Sequence, residues 1–203
     1  MIHTERAALA AELAGLGDGQ WETASLCAGL SVREVLAHMT AGATLSPARW
    51  MAGVIKCRFD FDEQVVMRLK EQLGETSQDS LERFRRAGAS TSSAVPIKAM
   101  LGETIVHGED IRRPLGLSRA YPIETVTRLA EYYRGSDFVV VAKKRVADLR
   151  LVADDGPFAA GAGPLVSGPT LALIMAMTGR AAFCDDLSGE GVALLRERCE
   201  TMR

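Results

Sequence analysis

Apolar residues recur at helical spacing through most of the first 115 positions. Leu9, Leu13 and Leu16 mark one face of a segment over residues 4–15, which Gly15 and Gly17 end. A loop holding Trp21 and Cys27 follows. Ser31 reads as an N-cap with Glu34 three residues on, a capping box in which each side chain satisfies the other's backbone N–H. Val32, Val35, Leu36, Met39 and Ala43 then line one face of a helix running to about residue 44, closed by Pro47. Residues 46–60 read as a longer connection, helical in part. Val65, Val66, Leu69 and Leu73 predict a helix over 62–73 that Gly74 interrupts, and Leu81 with Phe84 predict another over 79–88. Ser90-Thr-Ser-Ser is a polar linker. Pro96 suits the first turn of a helix reaching Leu115, stopped by Gly116.

The pattern changes after residues 116–122. Ile123, Val126, Leu129 and Tyr133 predict one more helix over 122–134, but residues 138–141 and 148–152 have β-branched, strand-like content. Pro and Gly punctuate residues 156–169. Ser167-Gly-Pro then opens a helix through Met177, which Gly179 ends, and residues 189–200 form a last amphipathic helix with Val192, Leu195 and Cys199. This predicts two domains, helical over 1–120 and a small α/β unit over 121–203.

Composition narrows the class. The chain has 203 residues, 47% hydrophobic and 25% charged, with a net charge of −2, so it lacks the basic field of a nucleic-acid binder. Its longest uncharged stretch, residues 156–179, carries five glycines and three prolines and does not read as a membrane span. The first residues lead into an Ala-rich amphipathic segment with no apolar secretory core, which predicts a cytoplasmic protein. Cys27, Cys57, Cys184 and Cys199 show no C-x-x-C pairing and are expected to be reduced. Nineteen Arg stand against five Lys and there is no Asn, the bias a GC-rich genome produces.

Histidine is scarce: His3, His38 and His107. Glu103 and His107 stand four apart, which stacks them on one helix face one turn apart, and Asp110 falls on the same side. Ile97, Met100, Leu101, Ile105 and Ile111 occupy the adjoining arc, so this polar face borders the buried stripe. His38 does the same beside Val35 and Met39. If the two helices pack antiparallel, two imidazoles and a carboxylate converge, a set suited to a divalent metal with open positions for water or substrate. Asp110 is either an outer carboxylate that orients a ligand or a surface acid. A Glu-x-x-x-His pair is also common as a plain solvated contact.

The string Leu30-Ser-Val-Arg-Glu-Val-Leu-Ala-His38-Met, preceded by Trp21 and Cys27, resembles the second-helix motif of the mycothiol-dependent maleylpyruvate isomerase family. Leu101-Gly-Glu103-Thr-Ile-Val-His107-Gly-Glu-Asp110 resembles that family's metal-helix motif, and Gly168-Pro, Thr178-Gly-Arg180 and Leu187-Ser-Gly resemble its C-terminal domain. The resemblance implies a mainly α fold, a DinB-like four-helix bundle followed by a small α/β domain. It implies a divalent metal, usually zinc, on His38, Glu103 and His107, and mycothiol as the thiol of an actinobacterial cell. It also implies a C-terminal arginine that serves catalysis or anion binding, for which Arg180 is the best match; a plain helix-end charge is the alternative. Ile105 and Val106 depart from the family, many of whose members have Trp before the helix histidine.

The expected activity is thiol transfer or thiol-assisted isomerisation of a small electrophile, by a monomer or homodimer with neither nucleic acid nor membrane as partner. The alternatives are a non-catalytic metal- or ligand-binding DinB-like stress protein, and a metal-assisted hydrolase that needs no thiol. Among weaker signals, Gly161-Ala-Gly163 lacks the third glycine and the β-α-β unit of a dinucleotide site. Ser167 reads as an N-cap. Arg112, Arg113 and Arg119 read as solvated charges at a helix end. Cys27 lies just before the His38 helix, close enough in sequence to approach the site, and is expected to be a buried structural thiol.

Overall fold

The computed structural model describes residues 1–90, 96–138 and 140–202, which fall into two compact units, Met1–Ser118 and Arg119–Arg203. The Thr-Ser-Ser of the expected linker lies outside the described residues.

The first unit is all helix: α1 (Ile2–Leu13), a short α2 (Asp18–Trp21), α3 (Val32–Thr44), α4 (Pro47–Lys56), α5 (Phe61–Gln72), α6 (Ser77–Ala87) and α7 (Ile97–Arg112). Helices α1, α3, α6 and α7 pack pairwise as a four-helix bundle, with α5 laid on α3 and α4 on α5. The apolar stripes read from the sequence fill the bundle core: Leu9 and Leu13, Val35 and Leu36, Leu81 and Phe84, and Ile111, each at most 1% exposed. The capping box forms as the spacing requires. Ser31 N donates to Glu34 Oε2 at 2.8 Å and Glu34 N to Ser31 Oγ at 3.3 Å.

The stretch 46–60 differs from expectation. Pro47 does not close α3 but opens α4, occupying its first turn with Ser46 as N-cap. The turn into α5 places Arg58 and Phe59 at φ of 51° and 68°, left-handed values that non-glycine residues adopt at a cost. The hairpin so formed stacks Trp50 of α4 on Phe61 of α5, ring centroids 6.3 Å apart and planes 22° from parallel.

The basic cluster at the end of α7 also differs. Arg112 is 1% exposed. Its Nε donates to Glu12 Oε2 at 2.6 Å and its Nη1 to Glu109 Oε1 at 3.3 Å, tying α7 to α1. A solvated reading fails because the amphipathic turn of α7 rotates this residue inward, where only a carboxylate pair makes its burial tolerable.

In the second unit, α8 (Ile123–Gly135) and a short α9 (Ala142–Arg145) precede strands β1 (Arg150–Ala153), β2 (Ala159–Ala160) and β3 (Leu165–Gly168), then α10 (Thr170–Met177), a 3-10 turn (Ala181–Asp186) and α11 (Val192–Thr201). The sheet order is β2-β1-β3, with β1 antiparallel to β2 and parallel to β3. Phe138, Val140 and Val141 form bends, not the expected strand; no partner strand takes them up, and their β-branched content leads into α9. Gly161 and Gly163 have a structural purpose: at φ of 80° and 121°, a Cβ on either would lie 2.1 Å from the carbonyl oxygen of Leu149 or Asp148. Ser167 is part of β3, and the N-cap position of α10 falls to Pro169. Pro has no side-chain acceptor, so Asp155 supplies one, accepting from Thr170 N at 2.9 Å.

Helix α10 is apolar all round, and Ala172 to Met177 are each at most 3% exposed. Beside it Arg145, 3% exposed, donates to four main-chain carbonyls: Val141, Met177, Arg198 and Met202. One guanidinium thus takes up carbonyls at the ends of α10 and α11 that helix geometry leaves without partners.

Replacing Arg112 by Met should leave Glu109 and Glu12 facing a neutral wall and cost about 3 kcal/mol of unfolding free energy. Urea denaturation followed by far-ultraviolet circular dichroism measures it, and a change under about 0.5 kcal/mol would show the ion pair to be dispensable.

Candidate metal centre

Two helices of the bundle build the site. The capping box fixes where α3 begins, and so which face carries His38, one turn past the buried Val35. On α7, the four-residue spacing places Glu103 and His107 on one face, beside the buried Met100, Ile105 and Ile111. α3 and α7 pack together, and the His38 and His107 rings meet edge to face, centroids 4.9 Å apart and planes at 84°.

His38, Glu103 and His107 line one small cavity of about 20 Å³, together with Gly42, Met100 and Arg6. That is room for one water-sized occupant. Gly42, one turn after His38, keeps the wall open: a Cβ there would stand 3.7 Å from Glu103 Oε2. Arg6 is 3% exposed, donates to the carbonyl of Ser90 at 2.9 Å and interacts electrostatically with Glu103. Burial lowers its guanidinium pKa and Glu103 partly restores it.

The outer nitrogen of His107 is held separately. Its Nδ1 lies 2.9 Å from Oδ2 of Asp110, which is fully buried, and 3.4 Å from the Cys27 sulfur. The Cys27 thiol donates to the same Asp110 oxygen at 3.0 Å, and Leu26 N donates to the Asp110 carbonyl at 3.1 Å. Burial works against a charged His107 ring. The hydrogen bonds to Asp110 and Cys27 and their charges outweigh it, and the pKa is pushed from 6.5 up to about 10. Among the described residues, the set of potential ligand atoms lying within 4.8 Å of one another is Cys27, His107 and Asp110.

Cys27 is therefore no remote structural thiol. The loop after α2 delivers it to the outer edge of the His107 ring, a placement that the chain's periodicity could not foretell because loops carry none. Arg180 belongs to the second unit, at the start of the 3-10 turn, where its Nη1 donates to the Thr178 carbonyl at 2.7 Å.

Residues 2–96 match the family model described as the mycothiol maleylpyruvate isomerase N-terminal domain. This N-terminal part of the chain is similar to that family. Two solved structures share the fold across 92% of this chain and 89% of theirs. One is a mycothiol-dependent maleylpyruvate isomerase (TM-score 0.54, 14% identity) and the other a variant of that isomerase with one histidine replaced by alanine (TM-score 0.56, 13% identity). No curated protein sequence matches the chain. Among the described residues no helix is long and apolar enough to cross a membrane.

The donor set suits a divalent cation. Two imidazoles and a carboxylate line this small cavity, their ligand atoms not all within 4.8 Å of one another, and the Asp110 bond to Nδ1 leaves Nε2 of His107 as the available ligand atom. Zinc binding must displace the Nε2 proton of a ring whose pKa is near 10. Zinc affinity should therefore rise about tenfold per pH unit from pH 7 towards 10, with proton release that a pH indicator records. In the metal-free protein the same raised pKa stabilises the fold fully below pH 6.5, and this contribution is lost as pH rises through about 10. Asp110→Asn should weaken zinc binding by about 10- to 100-fold and flatten the pH slope. An unchanged affinity and slope would mean that Asp110 does not orient the ring.

Proposed function

We propose that this protein is a metal-dependent enzyme that uses a low-molecular-weight thiol, mycothiol, to isomerise or S-conjugate a small electrophile in the cytoplasm. His38, Glu103 and His107 are the ligands, zinc is the expected ion, and the observation that supports the reading is the small cavity that all three line. A bound divalent ion would supply a site that favours thiolate over thiol at neutral pH. The chain supplies the rest. Asp110 fixes the tautomer and tilt of His107, Arg6 sets a buried positive charge against Glu103, and Ala41, Leu45 and Trp50 give the approach to His38 an apolar lining. Arg180, in the second unit, is the arginine that the family resemblance implies for catalysis or anion binding, and its fork suits an anionic group.

A second reading rests on the other nitrogen of His107. Cys27, His107 and Asp110 have ligand atoms within 4.8 Å, so a thiophilic ion on Nδ1 is the competing site. It would require the present Cys27 and His107 hydrogen bonds to Asp110 to be given up.

Elemental analysis of protein purified without a histidine tag should give about one divalent ion per chain, and His38→Ala, Glu103→Gln and His107→Ala should each lose it. Cobalt substitution separates the two sites. An intense sulfur-to-cobalt charge-transfer band that vanishes in Cys27→Ser would favour the second site, and a band-free spectrum the first. With mycothiol and a generic electrophile, the metal-loaded protein should exceed the rate of the thiol alone, and Arg180→Ala should lower kcat/KM by about 10- to 100-fold. Turnover that needs metal but no thiol would replace this proposal with a hydrolase.

A further inference from the structure

The second unit holds a pair of thiols that the metal site does not use. Cys184 stands in the 3-10 turn Ala181–Asp186 and Cys199 in α11, and both are free thiols. Two features bring them together. Leu195, fully buried, sets which face of α11 turns inward, and Cys199 follows it one turn later on that face. Arg196, three residues before Cys199, straps α11 to the turn. Its Nη1 donates to the Ala181 carbonyl at 3.2 Å and its Nη2 to Asp185 Oδ1 at 2.8 Å, contacts that bracket Cys184. Cys184 is 1% exposed, and Cys199 is half-buried, which gives the pair its contact with solvent.

The two sulfurs adjoin. The Cys199 thiol donates to the Ala176 carbonyl at 3.2 Å and also hydrogen-bonds the Cys184 sulfur, so its one proton can turn to either. The bond from Cys199 and the Arg196 charge favour thiolate at Cys184, burial, Asp185 and Glu200 oppose it, and the net effect lowers the Cys184 pKa. The same bond and burial raise the Cys199 pKa, with the Arg145 charge working against them. One thiol is thus the readier nucleophile and its neighbour keeps its proton.

We propose that Cys184 and Cys199 form a redox pair that hydrogen peroxide closes into a disulfide between the 3-10 turn and α11. The Cys184 sulfur attacks one peroxide oxygen, the O–O bond breaks, and the departing hydroxide leaves as water with a proton, so Cys184 becomes a sulfenic acid. The Cys199 sulfur then attacks the Cys184 sulfur. The S–S bond forms, the S–O bond breaks, and a second water leaves with the Cys199 proton. Two thiols and one peroxide give one disulfide and two waters, the two electrons passing from sulfur to peroxide oxygen. Peroxide is little larger than water, and a 3-10 turn, with poorer hydrogen bonds than an α-helix, is the element that opens to admit it. A dithiol reverses the step by thiol–disulfide exchange and is itself oxidised.

The test uses the full chain, reduced, freed of reductant and treated in its native state with a small excess of hydrogen peroxide. Intact mass should fall by about 2 Da, the two hydrogens lost. Trypsin cuts after Arg196 and Arg198, so the digest should contain residues 181–196 joined to residues 199–203, and dithiothreitol should separate them. In Cys199→Ser the Cys184 sulfenic acid has no partner and should be labelled by dimedone. If that variant does not fold, the wild-type digest stands by itself. Recovery of both cysteines as free thiols, separate sulfinic acids in place of the link, a link that forms only in urea, or pairing with Cys27 or Cys57 would overturn the proposal. Folded Cys199→Ser without dimedone on Cys184 would overturn Cys184 as the attacking sulfur.

Discussion

The buried carboxylate of Asp110 is the constraint on which the rest of the first unit turns. It is fully buried, so it demands donors, and two side chains distant in sequence are among those that supply them: the His107 ring and the Cys27 thiol. Meeting that demand pins the loop before α3 against α7. With the loop pinned, the capping box at Ser31 starts α3 at a fixed place, and His38 comes out facing His107. A helix that began one residue later would turn the His38 face by roughly a quarter of a turn, away from the cavity. Site geometry and loop conformation are therefore one problem in this unit.

The helices were legible in the sequence wherever an apolar stripe faced a single core. Leu9 and Leu13, Val35 and Leu36, and Leu81 and Phe84 are spaced for one buried face and occupy it. Reading failed where periodicity was weak or misleading. Pro47 was ambiguous because proline ends one helix and begins another by the same property, its missing N–H. The β-branched residues near 140 suggested a strand, but a strand needs a neighbour, and pairing is a tertiary matter that local propensity does not hold. Arg112 appeared solvated because its partner Glu12 is a hundred residues away.

The site divides in the same manner. The Glu103 and His107 pair follows from spacing on one helix, and His38 joined it through family resemblance and its place beside the apolar stripe. Cys27 lay in a loop, where no repeat announces which way a side chain turns.

Arg145 in the second unit has a consequence for how such a domain changes over time. Its partners are main-chain carbonyls at Val141, Met177, Arg198 and Met202, and a carbonyl is present whatever side chain the residue bears. Substitution can run through those four positions without removing a single acceptor. A domain clamped in this manner is free to drift far in sequence while its backbone stays put, so that shape outlasts the letters by which kinship is ordinarily recognised.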